Sequence, residues 1–246
     1  MGRPQVIAIG GGGNAAAEPD RRLDTYILKA AGRRNPRICF LPTATGDADS
    51  YIARFYASFA THRCEPTHVP LFRRTPDLRS VLLAQDLIYV GGGNTRSMLA
   101  TWREWGLPAI LHEAWRRGIV IAGVSAGAIC WFERCVTDSW ADALRAMDGL
   151  GWLQGTCCPH YDGEPERRPA LHALVRTGRV GSALAIDDGA AAHFIGRRLH
   201  VVVSCRPSGS AYRVGRRRGE VVEVALPVRR LPRARDRGVG QDTRLR

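Results

Sequence analysis

The sequence predicts an α/β protein: a mostly parallel sheet with helices on both faces and antiparallel edge strands near the C-terminus. Three observations support this. Short, nearly continuous apolar runs alternate with helix-periodic segments up to about residue 123, the pattern of strands buried on both faces. Three of those runs end in glycine clusters, at Gly10–Gly13, Gly91–Gly93 and Gly123–Gly127. Beyond residue 180 the runs shorten and are joined by tight turns, as in antiparallel strands.

The elements follow in order. QVIAI (5–9) is the first strand and stops at Gly10. Residues 18–33 place Leu23, Tyr26, Ile27 and Ala30 on one helical face. RICFLP (37–42) is a strand closed by Pro42. Residues 48–62 carry Tyr51, Phe55 and Phe59 at spacing four, which predicts a helix. THVPL (67–71) reads as a third strand and residues 77–84 as a short helix. DLIYV (86–90) is a strand, residues 94–103 and 107–117 are helices, and GIVIAG (118–123) is the next strand. Further strands are expected at 183–187, 191–196, 198–204, 211–215 and 220–226. Residues 1–228 are expected to form one domain. Residues 229–246, almost without apolar content, are expected to be a basic, disordered tail.

Composition narrows the function classes. The formal net charge is +13, and residues 213–246 hold eleven arginines against four acidic residues. No aromatic residue interleaves with arginine after Tyr212, as a single-strand nucleic-acid surface would want, so nucleic acid is not expected as a partner. Seven cysteines include no CxxC pair, the usage of a reduced protein with buried thiols and no metal. No run reaches the ~18 apolar residues of a membrane helix, and MGRPQVIAIGGGG does not read as a signal peptide. A cytoplasmic protein with no membrane partner is expected.

The chemistry concentrates at IVIAGVSAGAICWF (119–132). Gly-Val-Ser125-Ala-Gly matches the G-x-S-x-G elbow, in which a strand turns sharply into a helix and holds a serine hydroxyl above the sheet edge. The amides at the start of that helix suit a developing oxyanion. Serine needs a base to take its proton. Among seven histidines, His160 in CCPHYDGE stands in a loop after Pro159, as a catalytic base would. A third group must orient the imidazole, and Asp187, Asp188 and Asp138 are the acidic candidates. Asp162 and Glu164 read as solvated. Gly10–Gly13 with Asn14 lacks the G-x-G-x-x-G spacing, so no dinucleotide cofactor is expected and the run reads as a turn lining the cleft.

YVGGGNT (89–95), G-x-SAGA (123–128), T-D (137–138), C-P-H-Y (158–161) and I-D-D-G-A (186–190) together resemble the peptidase E family. That group holds aspartyl dipeptidases and, more distantly, cyanophycinases. The resemblance runs from about residue 5 to about residue 205. It implies a fold like class I glutamine amidotransferases and a Ser-His-acid triad. Carried over by motif, Ser125 is the nucleophile, His160 the base and Asp188 the acid, where relatives usually have glutamate. Asp187 is the second choice for the acid. Asp138 matches a further acidic position near the site. The amides of Gly92 or Gly93 and Ala126 then form an oxyanion hole, each donor supplying about 3 kcal/mol.

Asn94 caps the next helix and is a candidate substrate contact. Arg167 and Arg168 are candidate cations for an acidic substrate group. The partner implied is a small peptide, with a homodimer as the admissible assembly, and no metal or cofactor is needed. Alternatives are a cyanophycinase-like hydrolase, an esterase using Asp138 as its acid, and a non-catalytic protein binding nucleic acid through its tail.

Overall fold

The computed structural model describes residues 2–12, 21–140 and 143–232. The strands in chain order are β1 (Gln5–Ile9), β2 (Arg37–Leu41), β3 (Glu65–His68), β4 (Leu87–Val90), β5 (Val120–Val124), β6 (Phe132–Thr137) and β7 (Arg145–Asp148). They continue as β8 (Leu153–Cys158), β9 (Ala183–Ile186), β10 (Ala190–Ile195), β11 (Arg198–Ser204), β12 (Ala211–Arg217), β13 (Glu220–Ala225) and β14 (Val228–Arg230). The α-helices are α1 (Arg21–Ala30), α2 (Asp49–Phe59), α3 (Leu78–Leu83), α4 (Thr95–Glu104), α5 (Leu107–Arg116), α6 (Ala126–Ile129) and α7 (Arg167–Arg176).

Two sheets result. The first runs β14-β11-β10-β1-β5-β4-β2-β3, and its β1-β5-β4-β2-β3 part is parallel throughout. The second runs β13-β12-β9-β8-β6-β7. Alternation along the parallel strands explains the layering. Ile7, Ile9, Ile38, Phe40, Leu87 and Tyr89 face one side and pack with Leu23 and Ile27 of α1 and Phe55 and Phe59 of α2. Val6, Ala8, Cys39, Leu41, Ile88 and Val90 face the other, against Met98, Trp102, Leu111 and Trp115 of α4 and α5. The inner face of the second sheet, with Phe132, Cys135, Leu153 and Cys157, joins that same core. Its outer face packs on Leu171 and Val175 of α7.

The α/β fold with helices on both faces is as the sequence predicts. Four particulars differ. The C-terminal strands do not form one edge: β10, β11 and β14 extend the first sheet, and β9, β12 and β13 belong to the second. Strands β6, β7 and β8 were not expected, because FERCVT, RAMD and LQGTCC mix polar and apolar residues without clean alternation, and β6 is irregular between Phe132 and Arg134. The helix after the elbow is a single turn of four residues. Arg229 and Arg230, placed by the sequence in the tail, lie in β14, which pairs parallel with β11 through Val202, Val203 and Ser204. Backbone pairing satisfies an edge strand with little apolar content. Residues 18–20 of the first expected helix and residues 233–246 of the expected tail lie outside the described residues. Among the described residues no helix is long and apolar enough to cross a membrane.

Candidate active site

β5 is fully buried and delivers Ser125 to the carboxyl edge of the first sheet, where ligands bind in open α/β sheets. Ser125 has φ 55° and ψ −114°, a conformation that costs a non-glycine residue energy and persists only when its surroundings impose it. Those surroundings are the two elbow glycines. A Cβ at Gly123 would lie 2.2 Å from the Gly127 carbonyl oxygen, and one at Gly127 would lie 2.3 Å from that of Val90. The Ser125 carbonyl accepts from the amides of Ala128 (2.9 Å) and Ile129 (3.0 Å), which starts α6.

His160 leaves β8 through Pro159 and has φ 51°. Its Nδ1 lies 2.7 Å from Oδ1 of Asp188, with side chains only 20% and 30% exposed. A carboxylate accepts, so Nδ1 carries the hydrogen and Nε2 is left as the basic nitrogen. Asp188 follows β9, and its Oδ2 packs over Gly163, where an added Cβ would lie 2.2 Å away.

Three successive carbonyls at the end of β1 hold these groups. Ile9 O accepts from the Ser125 amide (3.1 Å), Gly10 O from the His160 amide (3.3 Å), and Gly11 O from the Gly189 amide next to Asp188 (2.8 Å). Gly11 also forms an isolated parallel bridge with Asp188. A Cβ on Gly11 would sit 1.8 Å from Asp188 Oδ1 and 2.4 Å from His160 Nδ1, so the backbone here passes against the His–Asp pair where only glycine fits. The sequence marked this run only as a turn lining the cleft. Gly13 and Asn14 lie outside the described residues.

The glycine loop after β4 adjoins the serine: an added Cβ on Gly92 would lie 3.1 Å from Ser125 Cβ and 3.7 Å from its Oγ. The Gly92 amide donates to Tyr51 Oη at 3.1 Å. Among the described residues, the Gly93 and Ala126 amides donate to no protein acceptor. Tyr51 was legible only as a core residue of α2. Burial raises its pKa, so it stays a neutral phenol whose own hydrogen points away from the Gly92 amide. Asn94 caps α4 by accepting from the Ser97 amide (2.9 Å), and its Nδ2 donates to Ser139 O (3.3 Å).

The remaining candidates lie elsewhere. Arg167 is 1% exposed. It pairs with Glu164 (2.6 Å) and Asp138 (3.3 Å) and donates to Val136 O, so it is turned into the protein and not toward a ligand. Asp138 is therefore an ion-pair partner of Arg167, and the pairing of His160 with Asp188 does not support the esterase order. Arg168 stacks over Tyr161 and Tyr212 and pairs with Glu223 at 2.7 Å. Glu164 and Asp162, read as solvated, both have partners: Arg167 for the first, Arg206 (3.0 Å) and the Asp188 amide (2.8 Å) for the second.

Asp187 bonds to groups other than His160. It is 2% exposed, and Oδ2 accepts from the Ser210 amide (2.9 Å) and Tyr212 Oη (3.4 Å). Burial, then the Asp162 charge, raises its pKa from 3.8 to about 6. The folded state thus holds a proton that the unfolded chain has released, and this contribution to stability is lost as pH rises from about 4 through about 6. Asp187→Asn keeps an acceptor for the Ser210 amide and removes that titration. Its unfolding midpoint is expected to fall less than wild type's between pH 4 and 7, as thermal melts across that range would show; parallel profiles would contradict the assignment.

Residues 6–202 match Peptidase family S51. The chain is 53% identical over 228 residues to an uncharacterized peptidase, YgaJ, of Bacillus subtilis strain 168, covering 92% of this chain and 99% of that one. It is 32% identical over 134 residues to peptidase E of Citrobacter koseri, covering 53% and 56% of the two chains. Among solved structures, a peptidase from an acI-B1 Actinobacterium superposes with a TM-score of 0.68 at 16% identity, covering 91% of this chain and 97% of that one. A putative peptidase E of Listeria monocytogenes EGD-e superposes at 0.57 and 17% identity, covering 92% and 100%. With the family match spanning most of its length and a relative at 53% identity covered end to end, this chain belongs to peptidase family S51.

Proposed function

We propose that the protein is a serine peptidase of small peptides, with Ser125 as nucleophile, His160 as general base and Asp188 as the group that orients and stabilises the imidazole. The observation that carries this reading is the end of β1, where Ile9, Gly10 and Gly11 hold Ser125, His160 and the Asp188–Gly189 turn on consecutive carbonyls. With Nδ1–H on Asp188, His160 Nε2 takes the proton as Ser125 Oγ attacks the scissile carbonyl. The Gly93 and Ala126 amides meet the developing oxyanion. The imidazolium then gives its proton to the leaving amine. Water, deprotonated by the same nitrogen, releases the acyl group and restores Ser125.

An absolute requirement for N-terminal aspartate would need a cation facing the cleft. Arg167 and Arg168 already pair with carboxylates, so neither supports that requirement. The test is amino-acid release from a dipeptide panel, with Asp-X and Ala-X expected to differ by less than about tenfold in kcat/KM, or 1.4 kcal/mol. Release from Asp-X alone would restore the strict specificity, and release from no small peptide would remove the peptidase reading.

A further inference from the structure

We propose that Arg206 is a positioning residue for the His160–Asp188 pair, locked in place by the C-terminal strand β14. The proposal rests on the role given to Asp188 above. An aspartate side chain has only two torsions, so the placement of its backbone decides what its carboxylate reaches. The Asp188 peptide is gripped on both sides. Its amide donates to Asp162 Oδ1 (2.8 Å). Its carbonyl accepts from Arg206 Nη1 (3.0 Å), and the same Nη1 lies 3.0 Å from Asp162 Oδ2. Asp162 and Arg206 therefore close a ring around the backbone of Asp188, holding the peptide groups on both sides of its Cα. The Arg206 stem fills the space beside Gly189, where an added Cβ would lie 2.6 Å from its Cδ.

The strand holds the arginine in turn. Arg206 O accepts from Ser204 Oγ (3.0 Å) and from Arg230 Nη1 (3.0 Å), and Arg230 also donates to Gly209 O. The Leu231 amide donates to Ser204 O (2.8 Å). β14 thus fixes the 205–209 turn from which Arg206 reaches Asp188, more than twenty residues after the last strand of its own sheet in sequence. Arg206 and Asp162 remain partly open to solvent, with side chains 43% and 27% exposed. The ion pair itself then contributes little to stability, and its effect is expected in geometry.

The test uses the full chain with Arg206→Ala, Arg206→Lys, Arg230→Ala and Asp162→Asn. Asp162→Asn keeps an acceptor for the Asp188 amide but loses the ion pair, and stands in should an arginine variant fail to fold. Dipeptide hydrolysis gives kcat and KM, and proton NMR follows the His160 Nδ1–H resonance, which reports the pair without turnover. Arg206→Ala is expected to lower kcat by about tenfold with KM within about twofold, since small displacements of a catalytic group act on the chemical step. The resonance is expected to shift or broaden, Arg230→Ala and Asp162→Asn should move both readouts the same way by less, and Arg206→Lys should recover part of the loss. Unchanged kcat and an unchanged resonance in folded Arg206→Ala would overturn the proposal. Should the wild-type chain hydrolyse no peptide, a perturbed resonance would keep Arg206 as a positioning residue while the peptidase reading falls.

Discussion

Ser125→Ala is expected to lower kcat for dipeptide hydrolysis by at least about 10⁴-fold, the scale set by removing the nucleophile of a serine triad. The fold should survive. The elbow is imposed by contacts alanine leaves intact: the Gly123–Gly127 packing and the hydrogen bond from the residue 125 amide to Ile9 O. The Ser125 carbonyl that starts α6 is likewise kept. Unfolding midpoints and steady-state kinetics on the same preparation separate the two effects. Full activity in a folded variant would place the nucleophile elsewhere.

Gly11→Ala is the second large effect and the more particular to this structure. It leaves Ser125, His160 and Asp188 chemically intact. The added methyl would stand 1.8 Å from Asp188 Oδ1 and 2.4 Å from His160 Nδ1, closer than any non-bonded contact allows, so the pair must part. An imidazole without its carboxylate loses its tautomer and orientation, a loss of about 10⁴-fold in kcat in an unrelated serine protease. A drop of about 10³-fold, or ~4 kcal/mol of barrier, is expected here, with KM little changed. A stopped assay comparing Gly11→Ala with wild type would measure it. Activity within about tenfold of wild type, in a regime where each 1.4 kcal/mol is a factor of ten, would mean that the pair tolerates separation and is not the orienting element.

What the sequence made legible was local. The elbow could be read because strand, glycines and serine are contiguous over 119–127. The parallel strands could be read because burial on both faces leaves continuous apolar runs. The order of His160 and Asp188 came from motif resemblance, and the side-chain contact between them spans 28 positions that periodicity does not encode. Asp162 reads as a solvated charge and Arg206 is not singled out, since nothing in composition reports that the Asp188 backbone lies between them. β14 was hidden for the same reason: VRR has the composition of a tail, and its pairing with β11 is satisfied by backbone. Arg167 failed in the opposite sense. A guanidinium near the histidine suits a carboxylate ligand, and the carboxylates it meets, Glu164 and Asp138, belong to the protein itself.

The assembly of the three groups at the end of β1 is tested most directly by a crystal structure of the protein with a dipeptide aldehyde. The account predicts a covalent bond from Ser125 Oγ to the aldehyde carbon, and the hemiacetal oxygen within reach of the Gly93 and Ala126 amides. It also predicts His160 Nε2 within about 3 Å of Oγ, the reach of a base that has taken its proton. An adduct on another side chain, or His160 turned out of reach of a modified Ser125, would contradict it.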